Sequence, residues 1–207
     1  MADQSSGRRH FWGLVAAAGF LACAGAGLAD TAPTRLRATI RTVKGNELGL
    51  ITRADEQLTV TLAPDARIVA IVPTSLADIK PGSYIGCAAL PQADGTLRAL
   101  EIHVFPENMR GTGEGHRAFD LQPRSTMTNG TVGTVTGSDG RTLKVTYQGG
   151  EQTIAVPPNT PIVTFEPGSP SLLAPTAHLI ATVRRAPDGT FTATRIAVGK
   201  DGLVPPM

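Results

Sequence analysis

Hydrophobic and polar residues alternate along much of the chain with a period of two. Runs of this kind cover residues 39–43, 48–50 and 58–62. This period is typical of β-strands buried on one face, and the many threonines suit the exposed face of a pleated sheet. Turn-forming residues separate the runs, at Lys44-Gly45-Asn46, Pro64-Asp65, Pro81-Gly82 and Asp94-Gly95. The pattern therefore predicts an all-β protein of short strands and tight turns.

The same pattern occurs twice, at a constant spacing of 94 residues. Pro64-Asp65-Ala66-Arg67-Ile68-Val69 matches Pro158-Asn159-Thr160-Pro161-Ile162-Val163, and Asp94-Gly95-Thr96-Leu97-Arg98-Ala99 matches Asp188-Gly189-Thr190-Phe191-Thr192-Ala193. The spacing predicts two tandem modules, residues 36–105 and 130–199, with a C-terminal tail at 200–207. About six short strands in each module predict a small five- to six-stranded barrel, because closure hides strand edges.

The first 29 residues read as a cleavable signal peptide. Arg8 and Arg9 precede an apolar stretch at 11–28, and small residues before Asp30 predict cleavage after Ala29. The paired arginines also resemble a twin-arginine signal, although ordinary secretory signals carry such pairs too, so both export routes stay open. An uncleaved anchor is the alternative. The mature chain has no apolar run near 18 residues, so we predict a periplasmic or secreted protein without a membrane span.

The composition argues against a disordered chain, a nucleic-acid-binding protein and an internal disulfide. The apolar fraction of 41% is too high for a disordered chain of 207 residues. A net charge of +2 and 4% aromatic residues argue against nucleic-acid binding, which needs a basic groove and stacking rings. Signal cleavage leaves Cys87 as the one cysteine, so we expect no internal disulfide, and its apolar neighbours predict a buried thiol.

We expect residues 106–129 to form a long structured connector between the two modules, and Asn129-Gly130 to turn the chain into the second one. The connector is rich in metal-ligand types, and two more lie on the strand before it. The candidate ligands are Glu101, His103, Glu107, Glu114, His116 and Asp120. Imidazole with carboxylate suits a borderline divalent ion. The alternative is a solvated connector in which Glu114 makes surface ion pairs with Arg110 and Arg117.

The order of these elements resembles a bacterial family of exported proteins of unknown function, built from small β-barrels similar in plan to oligonucleotide/oligosaccharide-binding (OB) barrels. The segments that carry the resemblance are Pro64-Asp65-x-x-Ile68-Val69, Leu76-x-x-Ile79-Lys80-Pro81-Gly82-x-x-Ile85-Gly86 and Asp94-Gly95-x-Leu97-x-Ala99-x-x-Ile102. The second module departs from it at Ala174-Pro175-Thr176. The resemblance covers about two thirds of the chain and implies a fold and a location, but no catalytic residues.

No enzymatic motif stands out in the sequence. It contains no Gly-x-Ser-x-Gly elbow and no phosphate-binding Gly-x-x-x-x-Gly-Lys loop. We therefore predict a non-enzymatic binding or adaptor protein, with no resident cofactor, that meets an unknown periplasmic protein or small ligand. The alternative function is a periplasmic divalent-metal-binding protein that uses the six candidate ligands.

Overall fold

The computed structural model describes residues 32–137 and 140–206, and the predicted signal peptide at 1–29 lies outside them. The described residues form twelve β-strands and four single-turn 3₁₀ helices, so the all-β prediction is confirmed. The strands are β1 (Thr34–Lys44), β2 (Glu47–Thr52), β3 (Gln57–Pro73), β4 (Tyr84–Pro91), β5 (Leu97–Phe105), β6 (Gly115–Ala118), β7 (Thr126–Thr136), β8 (Thr142–Tyr147), β9 (Gly150–Ala155), β10 (Ile162–Pro167), β11 (His178–Arg185) and β12 (Phe191–Gly199). The 3₁₀ helices are Leu76–Asp78, Glu107–Met109, Pro170–Leu172 and Lys200–Gly202. In these two ranges no helix is long and apolar enough to cross a membrane.

Strands β1, β2, β3, β12 and β11 close into a barrel. Antiparallel ladders join β1 to β2 and β11, β2 to β3, and β11 to β12. A parallel ladder between β12 and β3 completes the ring. Alternate residues point inwards, and fully buried aliphatic side chains such as Ile40, Leu48, Val60 and Ile196 fill the interior.

Strands β4, β5, β9, β8 and β7 form a second ring. Antiparallel ladders join four of its five edges, and a short parallel ladder of two residue pairs, Leu97↔Ile154 and Arg98↔Ala155, joins β5 to β9. The ring surrounds a separate apolar core that includes Ile85, Leu143 and Cys87. Cys87 is fully buried, as its apolar neighbours in the sequence predict.

Each ring takes strands from both predicted modules. The first combines β1–β3 with β11 and β12, and the second combines β4 and β5 with β7–β9. The strand pairing therefore differs from the prediction that residues 36–105 form one barrel and residues 130–199 the other. The physical reason lies in β3, which continues through Pro64-Asp65 instead of turning there. The β3–β12 register shifts at this point, and such an irregularity accommodates a proline that cannot donate to a ladder.

The two rings meet along the second half of β3. Its residues Val69 to Pro73 pair with β10, which also pairs with β5. Around this junction a third apolar cluster forms, with Ile71, Phe165 and Phe105 among its members. The connector is structured, as predicted: it contains a 3₁₀ turn and β6, which pairs with the edge of β7.

Candidate ligand-binding cleft

A cavity of about 210 Å³ opens between the two rings. Its walls come from β1, β11 and β12 on one side, from β5 and β7 on the other, and from β10, β6 and the turn before β6. We call it the interbarrel cleft. Its floor is formed by Phe105, Met127, Phe165, Ile180 and Ala197, its rim by Arg35, Arg117 and Arg195, and its polar end by His103, Thr112, Gly113 and Asn129.

The floor of the cleft is apolar and aromatic. Phe105 and Phe165 stack with their ring centroids 5.6 Å apart and 21° between the ring planes. The His103 ring meets both of them edge-on, at centroid distances of 4.7 Å and 5.8 Å. Because these three side chains are buried, they form a firm surface that suits the apolar part of a ligand.

The rim carries three guanidinium groups. Arg117 donates from Nη1 to the Gly113 carbonyl at 2.8 Å, and Arg35 lies 5.1 Å from the centroid of the Phe119 ring. Within residues 32–137 and 140–206, Arg35 and Arg195 have no carboxylate within ion-pair distance. The rim therefore presents two guanidinium groups, Arg35 and Arg195, that form no ion pair with a carboxylate of the described residues.

Burial and neighbouring cations act together on this charge. Burial lowers the pKa of Arg35, and the nearby Arg37 lowers it further. Burial likewise lowers the pKa of Arg195, with a contribution from Arg67. Both shifts mean that the charged guanidinium groups of Arg35 and Arg195 are destabilised, so a bound anion would offset their burial and their repulsion by neighbouring arginines.

The polar end of the cleft is built on one row of paired residues. His103 on β5 pairs with Gly86 on β4, which pairs with Asn129 on β7. His103 and Asn129 are 3% and 4% exposed, and the carboxylate of Glu101, two residues before His103, is fully buried. Glu101 Oε2 lies 3.4 Å from His103 Nδ1, whereas Glu101 Oε1 and Asn129 Oδ1 have no hydrogen-bond partner among the residues that the structure describes.

Gly86 makes room for this arrangement. A Cβ on Gly86 would collide with His103 Nε2 and lie 2.7 Å from Asn129 Oδ1. Because Gly86 has no side chain, His103 Nε2 and Asn129 Oδ1 can both lie close to its Cα. A strand glycine in such a place marks a close approach rather than a turn.

Of the six predicted metal ligands, the structure brings Glu101 and His103 together. The other four lie apart, each with its own contact: Glu107 with Arg110, Glu114 with the Gln148 backbone N–H at 2.9 Å, His116 with Thr128 at 2.8 Å, and Asp120 with Arg37. In the part of the chain that the structure describes, no group of three or more His, Cys, Asp or Glu side chains could hold a metal ion. The predicted metal site is therefore not assembled. The alternative, surface ion pairs of Glu114 with Arg110 and Arg117, is not seen among the described residues, because Arg110 contacts Glu107 instead, from Nε at 2.6 Å and Nη2 at 2.8 Å.

Sequence reasoning missed Arg35, Arg117, Arg195 and Asn129. The expected turn at Asn129-Gly130 is wrong, because both residues lie inside β7. Gly130 is a glycine for another reason: a Cβ there would collide with the Thr146 backbone of the neighbouring strand. The one available signal was an arginine repeated two positions apart at 35 and 37, which places both side chains on one face of a strand.

Comparison with known proteins adds one match. A protein-family model described as a domain of unknown function (DUF5666) matches residues 132–197, about a third of the chain. This agrees, for that segment, with the predicted resemblance to a family of unknown function. No curated protein and no solved structure matches the chain.

Proposed function

We propose that the chain is an exported, non-enzymatic binding protein that holds a small organic oxyanion in the interbarrel cleft. The observation that carries this proposal is the rim of Arg35, Arg117 and Arg195, of which Arg35 and Arg195 have no carboxylate partner among residues 32–137 and 140–206. Planar guanidinium groups match the geometry of carboxylate and phosphoryl oxygens. The aromatic floor beside them suits an apolar body on the same ligand.

The same charges favour an anion over the alternative ligand, a divalent metal ion. A cation in the cleft would lie close to three guanidinium groups, and the repulsion is strong where water is partly excluded. Glu101 and His103 supply two ligands, and within the described ranges no third carboxylate, imidazole or thiol joins them. An oxyanion therefore has more support than a metal ion.

Non-enzymatic binding is favoured by the position of the nucleophile candidates. The Ser125 hydroxyl donates to backbone carbonyls at 2.8 and 2.9 Å, and Cys87 lies in the core of the second ring, where burial raises the pKa of its thiol. Neither residue lines the cleft. His103 therefore has neither of these groups beside it to activate.

We further propose that the rings are OB-like barrels made from two tandem repeats that exchange strands. The strand pairs support a two-fold relation between the repeats. When each residue is exchanged for its match 94 positions away, the pair Val69↔Pro167 becomes Pro73↔Val163, and the pair Ile71↔Phe165 is exchanged with itself. The parallel pairs His103↔Val163 and Ala197↔Val69 correspond in the same way. In each ring one repeat supplies three strands and the other supplies two. The third strand of the three, β3 or β9, pairs in parallel with the second strand of the two, β12 or β5, which is the parallel pairing of an OB barrel.

The repeats differ where the cleft lies. At the spacing of 94, Glu101 corresponds to Arg195 and His103 to Ala197. One repeat thus supplies the buried acid and imidazole, while the other supplies a rim cation and a small side chain. This asymmetry on a symmetric scaffold supports a single specific site.

Calorimetric titration of the mature protein with benzoate, benzenesulfonate and phenylphosphonate tests the proposal. Wild-type protein should bind at least one of them, and Arg35→Gln, Arg117→Gln and Arg195→Gln should each weaken binding by about tenfold, the loss of one charge-assisted hydrogen bond. Arg41→Gln is the matched control, since Arg41 is exposed on β1 and lies outside the cleft. Absence of binding at millimolar ligand, or equal affinity in all four variants, would refute the proposal.

A further inference from the structure

Two of the rim arginines lie on opposite sides of one residue, Thr182. Arg35 on β1 pairs with Thr182 on β11, and Thr182 pairs with Arg195 on β12. All three side chains line the cleft. Because neighbouring strands are about 4.8 Å apart, the Cα atoms of the two arginines are about 10 Å apart. Side chains stand roughly perpendicular to a sheet, so the two positive charges mark two separate ends of the cleft wall.

The Arg35 end holds a second cation. Arg117 on β6 lines the cleft, and it also lines a shallow surface pocket together with Arg35. Burial lowers the pKa of Arg35, and the charges of Arg37 and Arg117 lower it further. The carboxylates of Asp120 and Glu101 raise it, but Asp120 is bound by Arg37 and Glu101 is fully buried. This end is exposed and suits one anionic group.

The Arg195 end is built in a similar way. Arg195 pairs with Arg67 on β3, and burial together with the Arg67 charge lowers the pKa of Arg195. Arg195 is half-buried, so a ligand can reach it from solvent. An anion bound at Arg35 lies about 10 Å away, which is about the Debye length in physiological salt, so it compensates the Arg195 charge poorly. A second anionic group is needed there.

The cleft wall between the two ends is mostly apolar. In the next row of the first barrel, Ile180 takes the place of Thr182 and Ala197 takes the place of Arg195. The stacked rings of Phe105 and Phe165 line the same cavity. This surface suits the apolar middle of a ligand whose charges lie at its ends.

Resting on the proposed function, we propose that the ligand is an elongated dianion with one oxyanion group at each end of an apolar body, as in a dicarboxylate. One oxyanion group binds at Arg35 and Arg117, and the other binds at Arg195. The apolar body lies over Ile180 and the aromatic floor. A monoanion leaves one end uncompensated, and a compact dianion brings both of its charges to the same end.

Terephthalate and phthalate form the matched pair for the test, with benzoate as the monoanion. The two isomers have the same atoms and the same ring, and at about pH 7.5 both are dianions, because carboxyl groups titrate well below this pH. Only in terephthalate do the carboxylates lie at opposite ends of the ring. Calorimetry on the mature wild-type protein should show terephthalate bound at least about tenfold more tightly than phthalate or benzoate, the gain from one further charge-assisted contact.

A variant at one end tests the assignment. Arg195→Gln should bring the ratio of the terephthalate and phthalate affinities close to one, because it removes the cation that only the longer dianion reaches together with Arg35. Arg41→Gln is the matched control outside the cleft and should keep the ratio. A terephthalate preference that survives in Arg195→Gln would overturn the assignment of the second oxyanion group to this end.

The outcomes separate this inference from the proposed function. If the two isomers bind equally and the affinity still depends on the rim arginines, the two-ended inference is overturned and the anion site stands. Benzoate bound as tightly as terephthalate has the same meaning. If none of the three anions binds, both proposals fail.

A spectroscopic measurement covers the case in which Arg195→Gln does not fold. In wild-type protein, ¹⁵N resonances of the arginine Nε groups report contacts at individual side chains. Terephthalate should bind once per chain and shift the Arg35 and Arg195 resonances at the same ligand concentration. A shift confined to one of the two arginines would contradict the inference.

Discussion

The ion pair between Arg37 and Asp120 fastens the connector to the first barrel. Both guanidinium Nη atoms donate to the Asp120 carboxylate, each at 2.8 Å. Arg37 is mostly buried, with 13% of its side chain exposed, whereas Asp120 is 62% exposed. Asp120→Asn therefore removes the charge partner of a buried guanidinium while keeping the shape of the side chain.

The expected loss of stability is about 1–2 kcal/mol. The Arg37 hydrogen bonds lower the pKa of Asp120 from 3.8 to about 2, which corresponds to roughly 2.5 kcal/mol at most. Solvent screening at the exposed carboxylate reduces this figure, as it does for surface pairs. The buried Arg37 side chain acts in the other direction, because a buried donor left without its partner costs about 1–3 kcal/mol.

Urea and thermal unfolding of the mature protein at neutral pH measure this loss. A change of 1–2 kcal/mol should lower the midpoint of thermal unfolding by roughly 2–8 °C in a chain of this size. Glu107→Gln is the matched control: it breaks a similar two-bonded pair with Arg110, but both side chains are well exposed, at 78% and 37%. We expect no measurable change in its unfolding midpoint.

The difference between wild type and Asp120→Asn should depend on pH. Because the folded pKa is depressed, the stabilisation is complete above the unfolded value of 3.8 and disappears as the pH falls towards about 2. The difference in unfolding free energy should therefore shrink between about pH 4 and pH 2. A variant as stable as Glu107→Gln at neutral pH, or a difference that stays constant down to pH 2, would refute the reasoning.

Two further predictions concern the junction of the rings and the N-terminus. Ile71→Ala should lower the free energy of unfolding by about 2–5 kcal/mol in a single transition, because Ile71 is fully buried where β3 meets β10. Val43→Ala, at a 38% exposed position, is the control and should have little effect. Two separate unfolding transitions would contradict a shared junction. N-terminal sequencing should show that protein from the periplasm begins at Asp30, and a chain with an intact Met1 in the cytoplasm would contradict export. The double variant Arg8→Lys with Arg9→Lys should block export if the route is twin-arginine.

Some of the local structure was predicted by the sequence, although the turns expected at Pro64-Asp65 and Asn129-Gly130 lie inside strands. Asp94-Gly95 forms the expected tight turn, and Asp188-Gly189, its match at the spacing of 94, forms a second one. In each turn the aspartate accepts from the backbone N–H and the hydroxyl of the threonine two residues later, at 2.9 and 2.7 Å. Asx-type bonds of this kind depend on neighbouring residues alone. They can therefore be read from a short stretch of sequence.

Strand partners and the cleft could not be predicted in the same way. Alternation shows that β3 and β12 are strands with one buried face, but it carries no information on which strand lies beside which. The rim joins Arg35 and Arg195, which are 160 positions apart in the sequence. The predicted metal site failed for the converse reason, since residues close in sequence, such as Glu107 and Glu114, make contacts with different parts of the fold.

The exchange of strands between the rings has a consequence for how the chain holds together. The first barrel cannot close until β12, which begins at Phe191, reaches β3, so about nine tenths of the described chain is synthesised before this ladder can form. A cut in the connector between β5 and β7 would not release two domains, because each fragment retains strands of both rings. The fragments would remain together as two subunits of a heterodimer, and the cleft between the rings would remain with them.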